Sequence, residues 1–199
     1  RQRGMRRIRV YDPSTGELHQ IPSPEAISTF HPAENWDIDT PALRLGYSSP
    51  TLPYTVVDYG LETRRWDVRL ETRVPGFHRD EYHAERISAP ALDGTLVPLS
   101  LVWRKDRRSP EGNPLALCVY GAYGRSIELD FDPDRLSLLD RGVIFAVAHV
   151  RGGGELGEAW HGQGRRLKKR NGILDFIACA GHLIAAGYTR PGWIAALGD

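Results

Sequence analysis

Residues 143–150, Val-Ile-Phe-Ala-Val-Ala-His-Val, constrain the fold of this chain more than any other stretch. They run straight into Arg151-Gly152-Gly153-Gly154-Glu155-Leu156-Gly157. An unbroken apolar, β-branched run suits a strand buried on both faces, as in the middle of a parallel sheet. The glycines after it permit positive φ and let other backbone pass close by. A buried strand that feeds such a loop delivers it to the carboxyl edge of the sheet, where α/β proteins place their ligands.

Gly152, Gly154 and Gly157 satisfy G-x-G-x-x-G directly after this strand, the pattern of a dinucleotide site and hence of a nucleotide-dependent oxidoreductase. That reading needs a helix at once and then a second strand with an acid at its end. Asp175 lies at a suitable distance. However, residues 158–171 hold no β-branched run, Asp175 falls inside a helical pattern, and Glu155 would set a negative charge beside the pyrophosphate.

On either side the chain changes character. Residues 1–75 read as all-β. Residues 7–11 and 17–21 alternate around Asp12-Pro13-Ser14-Thr15-Gly16 and form a hairpin, and residues 42–47, 54–59 and 66–70 read as further strands. This spacing fits a sandwich or a propeller blade, and a region this small has few inward-facing positions, so it is expected to belong to a larger β structure. Residues 76–85 look like a linker. From residue 86 the order is antiparallel hairpin, strand, helix, strand, loop, helix, strand, which implies a mostly parallel sheet covered on both faces. Pro98 places the second hairpin strand at an edge or a bulge. Helical spacing appears in residues 131–141 and again at Ile173, Phe176, Ile177, Ala180, Leu183 and Ile184, with Gly187 as C-terminal cap. Residues 193–197 read as another buried strand. Ending on a freshly started strand, the chain is expected to be truncated at both ends.

The formal net charge of +1 creates no field that calls for nucleic acid or an anionic membrane. No apolar run is long enough to span a bilayer. The basic run 165–170 reads as a nucleic-acid patch or, more commonly, as a solvated helix end. Cys118 and Cys179 sit in apolar surroundings and read as buried free thiols of a reducing compartment. His31, His78 and His83 lack ligand spacing, so no metal site is expected.

Five stretches, in order, resemble the oligopeptidase B branch of the prolyl oligopeptidase family of serine peptidases. They are Tyr120-Gly121-Ala122-Tyr123-Gly124, residues 135–142, His149-Val150-Arg151-Gly152-Gly153-Gly154-Glu155, Leu167-Lys168-Lys169-Arg170-Asn171 and residues 187–191. Tyr47-Ser48-Ser49-Pro50 and Val74-Pro75-Gly76-Phe77 extend the resemblance through the β region. It implies the last strands of a β-propeller over 1–75 and the first half of an α/β-hydrolase domain over 86–199. The implied reaction is cytoplasmic hydrolysis of short peptides after Arg or Lys by a Ser-His-Asp triad. No metal or organic cofactor and no nucleic-acid or membrane partner is implied, and the oligomeric state stays open.

The resemblance gives Tyr120 the role of an oxyanion donor, a hydroxyl already aimed where charge develops; without it, a core tyrosine with a satisfied hydroxyl is the alternative. Glu128 and Asp130 match acids that contact the basic residue preceding the cleaved one, and on spacing alone they are also ordinary loop acids. Arg151 and Glu155 are assigned to holding the backbone of Gly152, Gly153 and Gly154, which has no side chains of its own. The family continues into a Gly-x-Ser-x-Gly elbow. Gly198 matches its first glycine and Asp199 takes the next position, so the serine, and the aspartate and histidine after it, are expected beyond this chain. A non-catalytic binding module or decayed remnant is the alternative to a truncated peptidase.

Overall fold

A computed structural model describes every residue except 2, 3, 38 and 199, so the position of Asp199 lies outside the described residues. The β-rich part holds β1 (Arg9–Tyr11) paired with β2 (Leu18–Gln20), and an antiparallel sheet in the order β3 (Thr29–Pro32), β4 (Ala42–Ser49), β5 (Leu52–Gly60), β6 (Trp66–Glu71). Its core gathers Ile21, Phe30, Leu45, Tyr47, Val57 and Tyr59, with Trp66 against them. β3, which has no alternating pattern of its own, is the strand that sequence periodicity does not reveal.

The remaining strands are β7 (Tyr82–Pro90), β8 (Leu96–Arg104), β9 (Leu115–Val119), β10 (Ile144–Ala148) and β11 (Ile194–Gly198). They form one sheet in the order β11-β9-β10-β8-β7. β10 lies in the middle, parallel to β9, which is parallel to β11. β8 runs antiparallel to β10, and β7 antiparallel to β8. The sheet is therefore mixed, not mostly parallel. β7 also begins at Tyr82, paired with Arg104, ahead of the boundary expected at residue 86.

The helices cover both faces. α1 (Pro133–Leu139) starts at Asp132, whose side chain accepts from the Asp134 N–H at 3.0 Å, with Pro133 in the first turn. Its Leu139 packs with Val102 and Val147 on one face, together with Met5 and Ile27 from the β-rich part. α3 (Lys169–Ala185) covers the other face with Cys179 and Leu183, against Leu99, Leu101, Ile144 and Ala146. Its buried stripe is Gly172, Asp175, Cys179 and Leu183, whereas Ile173 and Ile177 are exposed. The apolar period read along this helix is thus offset from the face it buries. β11 is an exposed edge strand and not a buried one.

Pro98 sits in β8, a strand paired on both sides. The ladder with β10 closes where the His149 N–H donates to the Pro98 carbonyl at 3.0 Å. Proline has no N–H to return. The His149 carbonyl instead accepts from the Trp160 indole at 3.2 Å, and that N–H is shared with the Val150 carbonyl at 3.0 Å. Trp160 lies in the short helix α2 (Glu158–Gly162). An interior proline is accommodated because a neighbouring tryptophan supplies the missing donor.

Candidate functional site

The parallel strands β9, β10 and β11 end on the same edge of the sheet. A cleft of about 550 Å³ opens there, with Tyr120 at the end of β9. Residues 125–127 line its wall together with Ala196, Leu197 and Gly198 of β11. Tyr120 is half-buried, and among the described residues nothing hydrogen-bonds its hydroxyl. Tyr123, by contrast, is exposed and has a positive φ of 54°.

The glycine loop is sewn to the segment that carries Tyr120 and the cleft wall. Gly124 N–H donates to the Gly152 carbonyl at 3.1 Å, and Gly154 N–H to the Arg125 carbonyl at 3.0 Å. The Glu155 carboxylate accepts from the Ile127 N–H at 3.0 Å. Side chains at residues 152–154 would collide with neighbouring groups: at Gly152 with the Gly121 carbonyl, at Gly154 with the Gly124 carbonyl, at Gly153 with the Glu155 carboxylate.

Arg151 is buried at 4% exposure and points away from the cleft into α3. Its Nε and Nη2 meet Asp175 at 2.9 and 2.6 Å, its own N–H reaches Asp175 at 3.0 Å, and Nη1 reaches Asp93 at 2.6 Å. These hydrogen bonds, Asp175 first, hold the guanidinium pKa above its ordinary value, and Arg151 in turn pulls Asp93 down to about 2. Asp175, the acid a dinucleotide site would need for ribose, is committed to this clamp. The loop leads into α2 and α3 with no second strand between, so the nucleotide geometry is not assembled.

A second buried polar chain runs beneath the loop. Arg86 Nη1 lies 2.8 Å from Ser100 Oγ and 3.2 Å from His149 Nε2, and Ser100 Oγ lies 2.8 Å from Nε2. A guanidinium only donates, so Nε2 presents its lone pair and Nδ1 carries the proton. That Nδ1–H faces Glu155 at 3.4 Å, a long contact. The sequence offered one signal for this chain: Ser100 interrupts the apolar run 96–103, and a polar side chain inside a buried strand requires a partner. Ser100, His149 and Glu155 repeat the connectivity of a serine–histidine–acid triad, but Ser100 is 1% exposed and beyond reach of any substrate.

Glu128 and Asp130 lie on the segment that follows the cleft wall but do not line the cleft. Glu128 is paired with Arg1 and, at 3.2 Å, with Arg6; Asp130 lies 3.7 Å from His31. The Phe131 N–H next to them donates to Ser48 of β4, so this segment joins the two parts of the chain. The basic run is exposed around the start of α3, apart from the Lys169 ammonium, which reaches the Gly121 carbonyl at 2.7 Å. Among the described residues no cluster of His, Cys, Asp and Glu could hold a metal ion, and no helix is long and apolar enough to cross a membrane.

Tyr120 beside the end of the parallel strand β11, backed by a packed glycine loop, stands at the carboxyl edge of the sheet, where α/β folds place their ligands. Residues 129–199 match the prolyl oligopeptidase family, and the chain belongs to this family of serine peptidases. It is 36% identical over 184 residues to dipeptidyl aminopeptidase BI of Pseudoxanthomonas mexicana, covering 92% of this chain and 25% of that protein. It is 35% identical to protease 2 of Moraxella lacunata over its whole length, 29% of that protein. Among solved structures it is similar to oligopeptidase B from Trypanosoma brucei with covalently bound antipain, at 37% identity and a TM-score of 0.87 over 100% of this chain and 29% of that one. Oligopeptidase B from Leishmania major gives 36% identity and a TM-score of 0.86 over 98% of this chain and 29% of that one. The chain thus spans between a quarter and a third of the length of these relatives.

Proposed function

We propose that these residues form the oxyanion side of the catalytic cleft of an oligopeptidase B-type serine peptidase that cleaves short peptides after Arg or Lys. The observation that carries this reading is the position of Tyr120. Its hydroxyl has no partner among the described residues, and Tyr120 lines the same cleft as the carboxyl end of β11, the strand paired with its own. In an α/β hydrolase the nucleophile sits on a turn that follows a strand, and a donor opposite that turn stabilises the tetrahedral intermediate. The β-rich part, 1–75, then corresponds to the last strands of a propeller and 86–199 to the start of the hydrolase domain.

The preference for a basic residue before the cleaved one rests on Glu128 and Asp130. Asp130 Oδ1 is buried without a hydrogen-bond partner, and an uncompensated buried carboxylate oxygen favours a cation. Glu128 already holds arginines of this chain, the chemistry a basic substrate residue would offer in their place. A cytoplasmic setting belongs to the same reading: Cys118 and Cys179 are not joined in a disulfide, as is usual for thiols of a reducing compartment.

In the full-length peptidase, Tyr120→Phe is expected to lower kcat by about 10²–10³ with little change in KM, the usual size of one lost oxyanion donor. An unchanged kcat removes Tyr120 from this role. The 199 residues alone are expected not to hydrolyse an arginyl amide, because the one Ser–His–acid chain among the described residues, Ser100–His149–Glu155, is sealed from substrate. Turnover that survives purification and is blocked by a serine-directed reagent would overturn that.

A further inference from the structure

Lys169 is the first residue of α3, a helix of 17 residues. A cation there opposes the helix dipole, which favours negative charge at the amino end. Its neighbours in the basic run behave as solvated charges: Arg165 faces Glu158 at 3.9 Å, and the Lys168 side chain has no partner among the described residues. Lys169 differs. Its ammonium turns back and donates to the carbonyl of Gly121 at 2.7 Å.

That carbonyl follows Tyr120 directly. Gly121 is buried with φ +62°, off the end of β9, so no strand ladder satisfies its oxygen. Among the described residues Lys169 supplies its only hydrogen bond, and Gly152 packs so closely on the same oxygen that a methyl group would not fit between them. The Gly121 peptide is therefore gripped from two sides, and Tyr120 leaves the sheet from a fixed point. Gripping one peptide this way matters because displacing a catalytic group by about 1 Å can cost up to about 100-fold in rate.

We propose that Lys169 is a positioning residue: it fixes the Gly121 peptide and, through it, aims the Tyr120 hydroxyl. The inference rests on the oxyanion reading of Tyr120. Lys169 touches no reacting atom; it acts through one peptide group.

The test is a double-mutant cycle in the full-length peptidase, read by steady-state kinetics on an arginyl amide. Lys169→Met is expected to lower kcat by about 10- to 100-fold with KM changed less than about twofold. Lys169→Arg, which keeps a cationic donor, recovers most of the rate, and Lys168→Met matches the parent enzyme. The double variant Lys169→Met/Tyr120→Phe is expected to be no slower than Tyr120→Phe alone, because a residue that acts only through the tyrosine has nothing left to position. Losses that multiply, or a Lys168→Met variant as slow as Lys169→Met, overturn the proposal. Should Lys169→Met fail to fold, Lys169→Gln goes through the same cycle under the same criteria. A Tyr120→Phe enzyme at full rate defeats the oxyanion reading, whereas a slow Tyr120→Phe beside a fast Lys169→Met defeats only the role of Lys169.

Discussion

Arg151 and Asp175 meet as a fork on a fork, Nη2 2.6 Å from Oδ1 and Nε 2.9 Å from Oδ2, where the Asp175 side chain has 0% exposure. Removing one partner of a buried pair leaves the other charged and uncompensated, at about 3–5 kcal/mol. Asp175→Ala is therefore expected to lower the free energy of denaturant unfolding by about that much. Arg151→Lys should also be costly, because an ammonium cannot hold both carboxylate oxygens and reach Asp93 together. Asp93→Ala should cost far less, since that carboxylate is half exposed and water replaces the guanidinium. Equal losses at Asp93 and Asp175 would mean that the clamp does not anchor the loop to α3.

His149 should make stability fall on mild acidification. Burial is the main cause that lowers its pKa below the ordinary 6.5, Arg86 adds to it, and Glu155 and Glu128 oppose it. The folded pKa therefore lies below the unfolded one, and the unfolded chain binds more protons as pH drops through about 6.5. The stabilisation from neutral His149 is complete above that value and fades as pH falls toward the folded pKa. Melting temperatures at about pH 7.5 and about pH 5.5 should diverge more for the parent than for His149→Gln, which cannot take up the proton. Parallel losses in both proteins would place the acid sensitivity elsewhere.

The centre of the fold could be read from residues because burial there is dictated locally. A run apolar but for one histidine has one place in an α/β sheet, and residues 143–150 take it as β10 and its exit. The hairpin at Asp12–Gly16 was equally legible from its turn residues. What misled were positions whose meaning is set by distant partners. Pro98 reads as an edge residue until Trp160, far along the chain, supplies the donor it lacks. Ile173 and Ile177 keep a helical period, yet Asp175 takes the buried face because Arg151 needs it there. At the site, the Tyr-Gly-Ala-Tyr-Gly stretch and the glycine loop could be found by inspection. For the Arg86–Ser100–His149 chain inspection shows only that Ser100 needs a partner, not which, and the Lys169 contact leaves no mark at all, since nothing in spacing joins residue 86 to 149 or 121 to 169.

Two glycines of the loop separate backbone strain from close packing. Gly152 and Gly157 have φ values of +102° and +91°, so alanine at either is strained by about 1–3 kcal/mol. Only at Gly152 would the added methyl also strike backbone, the carbonyls of Gly121 and Gly164; at Gly157 it meets open space. Gly152→Ala should therefore destabilise more than Gly157→Ala, by about 1–3 kcal/mol, the usual cost of forcing volume into a packed interior. In the full-length enzyme it should also slow kcat, since the Gly121 peptide must move. Equal melting temperatures for the two variants would show that the loop is not packed against the Tyr120 turn.

The Trp160 indole gives the last prediction, because one N–H serves two carbonyls, His149 at 3.2 Å and Val150 at 3.0 Å. Trp160→Phe removes the donor but keeps a ring, and a buried acceptor left unpaired costs about 1–3 kcal/mol. In a Pro98→Ala background the penalty should shrink. Alanine at 98 brings back an N–H on the side facing His149, where Pro98 already accepts from the His149 N–H, and that N–H can take over the His149 carbonyl. The Val150 carbonyl has no such substitute, so the rescue should be partial. Unfolding free energies of the two single variants and the double variant measure the coupling. Additive losses would mean that the tryptophan does not compensate for the proline, and that the interior position of Pro98 needs another explanation.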